Sequence, residues 1–170
     1  MTTLFQAAGL RHACTMLTTP GLIRLVSEID DNGPIAPRSL TRTLPDVPVA
    51  QLRQAVEQAR ALGLVRHRPG VGLSLTPSGS GLADLYDGMA RWARSRSLPA
   101  PVCDFTSRVQ HTLAILAVPI ALTAQEATEE FEGAPATEAD EEQAGPRDLL
   151  TQWLRENPQL VQGAEPVLAA

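Results

Sequence analysis

Lysine is missing from this 170-residue chain; all fourteen basic side chains are arginine, which we read as a trait of a GC-rich genome and not of a function. Aromatic residues make up only 4%, so a core has to be built from Leu, Val, Ile and Ala, and a hydrophobic share of 44% suffices for one. Two cysteines, Cys14 and Cys103, exclude a disulfide framework and offer no metal-ligand spacing. They read as buried small hydrophobes in preference to redox sensors. No apolar run approaches the roughly 18–20 residues of a membrane span, and MTTLFQAAGLRHAC lacks the charged start and long apolar centre of a secretory signal. The expectation is a cytoplasmic chain with no membrane partner. His12, His67 and His111 are scattered, with no Cys or carboxylate at ligand spacing, and no Gly-rich phosphate loop occurs. Gly79-Ser80-Gly81 reads as a turn. The sequence therefore predicts no enzyme, no metal and no cofactor.

What charge there is lies unevenly. Residues 1–123 carry 12 Arg and 8 acids, a net +4, whereas residues 124–170 carry 2 Arg and 11 acids, a net −9. The overall −5 thus hides a basic body with an acidic extension, a distribution found in nucleic-acid-binding chains.

Apolar periodicity gives the elements. A helix is expected over Leu4–Leu17. Thr19-Pro20 reads as an N-cap followed by proline at the first helical position. Leu22, Ile23, Val26 and Ile29 then form a helical stripe that Asn32-Gly33-Pro34 ends. A short helix, Ser39–Leu44, points Leu40 and Leu44 inward. After the turn PDVP a second helix runs from Val49 to Leu62 and stops at Gly63. Its expected seam is Leu52, Val56 and Ala59, leaving Val49, Ala50, Arg53, Gln54 and Glu57 exposed. LVRHRPGVGLSLT doubles back through Pro69-Gly70, and LTPSGSGL opens a helix that runs to Trp92. Beyond it, Val102, Phe105, Val109, Leu113 and Leu116 have helical spacing up to Pro119. The acidic run through residue 146 has little to bury and reads as mostly disordered. PRDLLTQWLREN predicts a final amphipathic helix with Leu149, Leu150, Trp153 and Leu154, and the chain after Pro158 is expected to fray.

Two short helices, a two-stranded ribbon and a long helix in that order are the plan of a winged helix-turn-helix domain, mainly α with a small β-wing, flanked by dimerisation helices and the acidic extension. The division expected is 1–97 for the DNA-binding domain, 98–122 for an added helical segment, 123–146 for the linker and 147–170 for the last helix and tail. The second helix would enter the major groove, with Pro48, Val49, Ala50, Arg53 and Gln54 as its contact set. Arg bonds guanine and Gln bonds adenine bidentately, which suits Arg53 and Gln54 to base edges. Arg66, His67 and Arg68 suit phosphate or minor-groove contact from the wing, and Arg38, Ser39 and Arg42 suit phosphate. For Arg60 and Arg91 a solvated helix face is an equal reading.

Several of these landmarks fall in a familiar order: Gly33-Pro34, Leu40, Leu44-Pro45, Leu52, Val56, Gly63-Leu64-Val65, then Leu75-Thr76-Pro77-Ser78-Gly79 and LADLYDGMARWA with Leu82, Leu85 and Trp92. In this the segment from Gly33 to Arg94 resembles HxlR-type bacterial winged helix transcription regulators, relatives of the MarR group. The resemblance implies a homodimer on a two-fold symmetric operator, with dimer contacts through the terminal helices. Cys14 is followed by Thr15 and not by proline, so thiol sensing is not implied. Double-stranded DNA and a second copy are the expected partners, and an effector ligand stays open. The alternative reading is a winged helix used for protein contact alone, tied to its partner through residues 98–170. The last helix, with Trp153 among leucines, is expected to dock on its own dimer or on such a partner.

Overall fold

The computed structural model describes the backbone of residues 7–126 and 138–162, with side chains from 9 to 117 and from 143 to 162. The elements run α1 (Ala7–Leu17), α2 (Pro20–Asn32), a 3-10 turn (Pro37–Ser39), α3 (Leu40–Thr43), α4 (Val49–Ala61), β1 (Val65–Arg68), β2 (Gly72–Leu75), α5 (Pro77–Ser95), α6 (Phe105–Glu126), α7 (Glu138–Glu156) and α8 (Gln159–Gln162). The protein is mainly helical with one small antiparallel sheet, an arrangement compatible with a winged helix. Residues 1–6, which include the expected start of the first helix, and residues 127–137 of the acidic run lie outside the described residues, as do 163–170.

Helix α4 ends where Gly63 takes a positive φ of 70°. Gly63 N–H donates to Arg60 O (3.0 Å) and Leu64 N–H to Ala59 O (2.8 Å), which satisfies the last carbonyls and turns the chain into β1. The strands pair Val65 with Leu75 and Arg68 with Gly72. Between them Val71 N–H donates to Arg68 O (3.0 Å) across Pro69-Gly70, with Gly70 at φ 74°. On its other side β2 meets Ile35: Ile35 N–H donates to Leu73 O (3.0 Å) and Leu73 N–H to Ile35 O (2.8 Å). This makes β2 central and β1 an edge strand, so β1 carries the charged residues.

One continuous core joins every helix except the short α3, which adds the half-buried Leu40. Tyr86 of α5, fully buried, donates its hydroxyl to Leu17 O (2.7 Å) at the end of α1. Burial pushes the Tyr86 phenol well above its ordinary range.

Several expectations are corrected. The buried seam of α4 is Leu52, Ala55 and Ala59, with Val56 half-buried. Helix α2 crosses α4 so closely that a Cβ on Gly21 would lie 3.1 Å from Ala55 Cβ, and only a small residue fits the crossing point. Thr19 stands at the N-cap position of α2 but does not cap it; its hydroxyl donates to Met16 O (2.7 Å) and lies 3.2 Å from Gln58 Oε1. Ser39 belongs to the 3-10 turn and makes no cap either; its Oγ accepts from Arg42 Nη2 at 3.4 Å. Gly79-Ser80-Gly81 is the first turn of α5 and not a loop, because Thr76 caps the helix by accepting from Gly79 N–H (3.2 Å).

The C-terminal third departs most. Asp104 accepts from Ser107 N–H (2.6 Å) and so starts α6 at Phe105, leaving Val102 off the helix and 93% exposed. Helix α6 continues through Pro119, where one lost N–H is outweighed by the packing of Val109, Leu113 and Leu116 on the preceding turns. Helix α7 begins at Glu138, with Pro146 inside it. Residues 138–146 of the run read as mostly disordered are thus helical. Where fraying was expected from Pro158 on, Gln159–Gln162 form α8, with Leu160 buried and α8 packed on α1; the fraying expected after Gln162 lies outside the described residues.

Trp153, Leu150 and Leu154 dock within the chain itself and not on a partner. Trp153 Nε1–H donates to Ser78 O (3.1 Å), and its ring lies over Gly81 of α5. The described apolar residues of α1, α5 and α6 likewise pack on one another.

Candidate nucleic-acid interface

The exposed side of α4 is built by default: once Leu52, Ala55 and Ala59 turn toward α2, the positions a half-turn away must meet solvent. Pro48, Val49, Ala50, Arg53, Gln54 and Glu57 are all exposed as expected. Arg38 and Arg42 are exposed on the element before, and Arg66, His67 and Arg68 along β1, while Ser39 is half-buried. Between Pro37 and Leu75 there are six arginines and two acids. One of those acids, Asp46, is taken up by Arg24 of α2 through Nε (2.7 Å) and Nη2 (3.2 Å), which holds Asp46 below the usual carboxylate range. That pair ties α2 to the turn between α3 and α4.

Arg38, Arg53, Arg60, Arg66 and Arg68 make no hydrogen bond or ion pair among the described residues. These guanidiniums are unpaired at a surface that also carries five ordering devices: the Gly63 stop, the Pro69-Gly70 turn, the Ile35 bridge, the Thr76 cap and the Arg24–Asp46 pair. Gly72, at φ 116°, approaches Ile35 O so closely that a Cβ would stand 2.6 Å from it. The wing is therefore pinned at its base on both sides. Acids gather elsewhere: desolvation and then the charges of Asp84, Asp31 and Asp87 push up the Asp30 carboxyl, where the end of α2 faces α5.

The structure separates Arg53 from Gln54. Arg53 borders a groove between α3 and α4 together with Glu57 and Arg60. Gln54 lines a cavity on the other side, at the start of α2, with Gln51 and Gln58. The glutamine row at positions 51, 54 and 58 has helical spacing and was open to notice. Gln58 is structural, donating to Met16 O (2.8 Å) with its Oε1 3.2 Å from the Thr19 hydroxyl. Two arginines counted toward the basic body do not belong to the face: Arg24 is paired, and Arg108 is 5% exposed, donating to Leu98 O (2.9 Å) and Pro101 O (3.2 Å) to shape the loop before α6. Nothing in the sequence distinguishes Arg108 from its exposed counterparts.

Among the described residues no cluster of three His, Cys, Asp or Glu side chains could hold a metal, and no helix is long and apolar enough to cross a membrane. Cys14 is buried, which raises its thiol to about 11, and Cys103 is half-buried with its thiol turned to Ala100 O (3.4 Å) and Leu98 O (3.6 Å). A thiol at about 11 holds almost no thiolate at neutral pH. No protein-family model, no curated protein and no solved structure matches the chain.

Proposed function

We propose that this protein binds duplex DNA as a sequence-reading regulator, with α4 in the major groove and the edge strand β1 on phosphate or in the minor groove. The observation that carries the reading is the set of unpaired arginines on the exposed side of α4, the 3-10 turn before α3 and β1, held on a pinned helix–turn–helix–wing order. Phosphate neutralisation by such arginines supplies most of the affinity, and side chains from the helix supply discrimination. The expected division is Arg53 and Gln54 at base edges, with Arg38, Arg42, Arg66, His67 and Arg68 at the backbone. Arg53→Ala and Gln54→Ala, both exposed, should leave the fold intact and weaken binding to a selected operator by ~1–3 kcal/mol each. Wild-type operator affinity in both variants would remove α4 from the interface.

The reading includes a two-fold dimer, on the ground of the HxlR-type resemblance. Light scattering at micromolar concentration should give twice the chain mass; a monomer that still binds DNA would overturn this part. The alternative is a winged helix used for protein contact alone through residues 98–170; α7 would then offer its exposed side, since its buried face is occupied by α5.

The acidic run is proposed to weaken DNA binding by charge repulsion, which salt screens over ~10 Å at 0.1 M. Truncation after Thr123 is no clean test, since it also removes the packed α7 and α8. Replacing the acids from Glu126 to Glu142 with Gln or Asn keeps those helices and should tighten non-specific binding, more at low salt than at high. Unchanged low-salt affinity would show the run to be a spacer.

A further inference from the structure

Glu57 is at odds with the surface around it. Of the two acids between Pro37 and Leu75, Asp46 is held by Arg24, whereas Glu57 is exposed and makes no hydrogen bond or ion pair among the described residues. It stands between Arg53 and Arg60 along α4, and all three border the same groove. A helical ion pair does not account for it. Arg53 four residues before Glu57 is the weaker order for such a pair, and neither arginine is bonded to it. A free carboxylate among phosphate-binding arginines repels the DNA backbone, so it lowers affinity unless it meets a donor.

The major groove offers donors only at the exocyclic amines of cytosine and adenine. Beside the adenine amine lies the N7 acceptor, which repels a carboxylate; beside the cytosine amine lies only a C–H. Guanine and thymine present acceptors. Four residues of helix rise about 6 Å and base pairs stack at about 3.4 Å, so Arg53 and Glu57 reach base pairs about two steps apart at most.

We propose that Glu57 is a specificity-determining residue of α4, its carboxylate accepting a hydrogen bond from the N4 amine of a cytosine that lies within about two base-pair steps of the guanine read by Arg53. This rests on the DNA reading above and narrows it to a class of half-site. The effect is chiefly exclusion. Over thymine or guanine the carboxylate meets an acceptor while the phosphates still repel it, so a wrong site is rejected by more than one missing contact.

The test is a parallel selection of duplexes from a random pool by the wild-type chain and by Glu57→Gln. Gln keeps the size, loses the charge and donates as readily as it accepts, so it tolerates thymine and guanine. The wild-type pool should be enriched in half-sites holding both guanine and cytosine; the Glu57→Gln pool should keep the guanine and lose the cytosine. By anisotropy on a selected duplex, exchanging that C·G pair for T·A should cost the wild type about tenfold or more and the variant less than about threefold. Glu57→Gln should also bind non-cognate duplex more tightly than wild type at low salt, with an unchanged circular dichroism spectrum. A variant pool that keeps the cytosine, or a wild-type pool with guanine alone, would overturn the proposal and leave the DNA reading standing. Loss of the guanine in place of the cytosine would make Glu57 a positioning residue for Arg53 and overturn the base contact. If the wild-type chain enriches no duplex, the DNA reading itself fails and the proposal falls with it.

Discussion

Trp153→Ala is expected to lower the free energy of unfolding by ~3–5 kcal/mol, a large share of the ~5–15 kcal/mol that holds a typical domain. Trp153 is 5% exposed, so its ring contributes nearly all its apolar area to the seam between α7 and α5. Its indole N–H is also paired, to Ser78 O at 3.1 Å. Gly81 leaves the space the ring occupies: a Cβ there would stand 3.1 Å from Trp153 Cδ1. Removing the ring leaves a void that Leu150 and Leu154, already buried, cannot fill. Trp153→Phe, which keeps most of the apolar contact and loses the hydrogen bond, should recover more than half the loss. Urea unfolding followed by far-ultraviolet circular dichroism reads both variants without depending on the tryptophan signal. A loss below about 1 kcal/mol for Trp153→Ala would mean that α7 is not docked on α5, and would restore it as a surface for a partner.

Gly79→Ala should cost about 3 kcal/mol or more, although one methyl group is added near a surface. A Cβ at Gly79 would fall inside the van der Waals envelope of the Leu64 carbonyl oxygen and 3.1 Å from Leu75 Cδ2. The carbonyl cannot yield freely, because it accepts from Thr76 N–H (2.9 Å) at the point where β2 passes into α5. Relief requires α5 to move away from the base of the wing. Stability and DNA affinity should therefore fall together in this variant, unlike in Arg53→Ala, where affinity alone falls. Thr76→Ala removes the cap without a clash and is expected to cost ~1 kcal/mol. If Gly79→Ala is no worse than Thr76→Ala in urea unfolding, the close approach of α5 to Leu64 is not real.

The elements from Pro20 to Ser95 were legible because their boundaries are set by local chemistry. Pro20 starts α2, Gly33 and Gly63 end helices at positive φ, Pro69-Gly70 closes the wing, and Thr76-Pro77 opens α5. Exposure on α4 was also legible, apart from the exchange of Ala55 for Val56, which depends on how closely α2 crosses and cannot be read from one helix. The last third was not legible, for a physical reason: Trp153, Leu160 and Asn157 are buried by partners far along the chain, such as Ser78 and α1. An amphipathic stripe shows that a helix has a buried face, without showing whether the chain or another molecule covers it. In the candidate interface, residue type and exposure came through. Pairing did not: nothing in the sequence shows that Arg24 is held by Asp46, or Arg108 by the carbonyls of Leu98 and Pro101.

The central claim is that the unpaired arginines of α4, the 3-10 turn before α3 and β1 form, with Arg42 of α3, a DNA-binding face, and the salt dependence of duplex binding by the wild-type chain tests it most directly. Each phosphate neutralised contributes a slope of about 0.9 in log affinity against log salt. Four backbone contacts, from Arg38, Arg42, Arg66 and Arg68, then predict at least about a hundredfold loss of affinity between roughly 50 mM and 200 mM salt. Fluorescence anisotropy with labelled duplexes measures this, and Arg66→Ala should reduce the slope by about 1 for each protomer bound. No binding at the lower salt, or an affinity that changes less than about threefold between the two, would contradict the account.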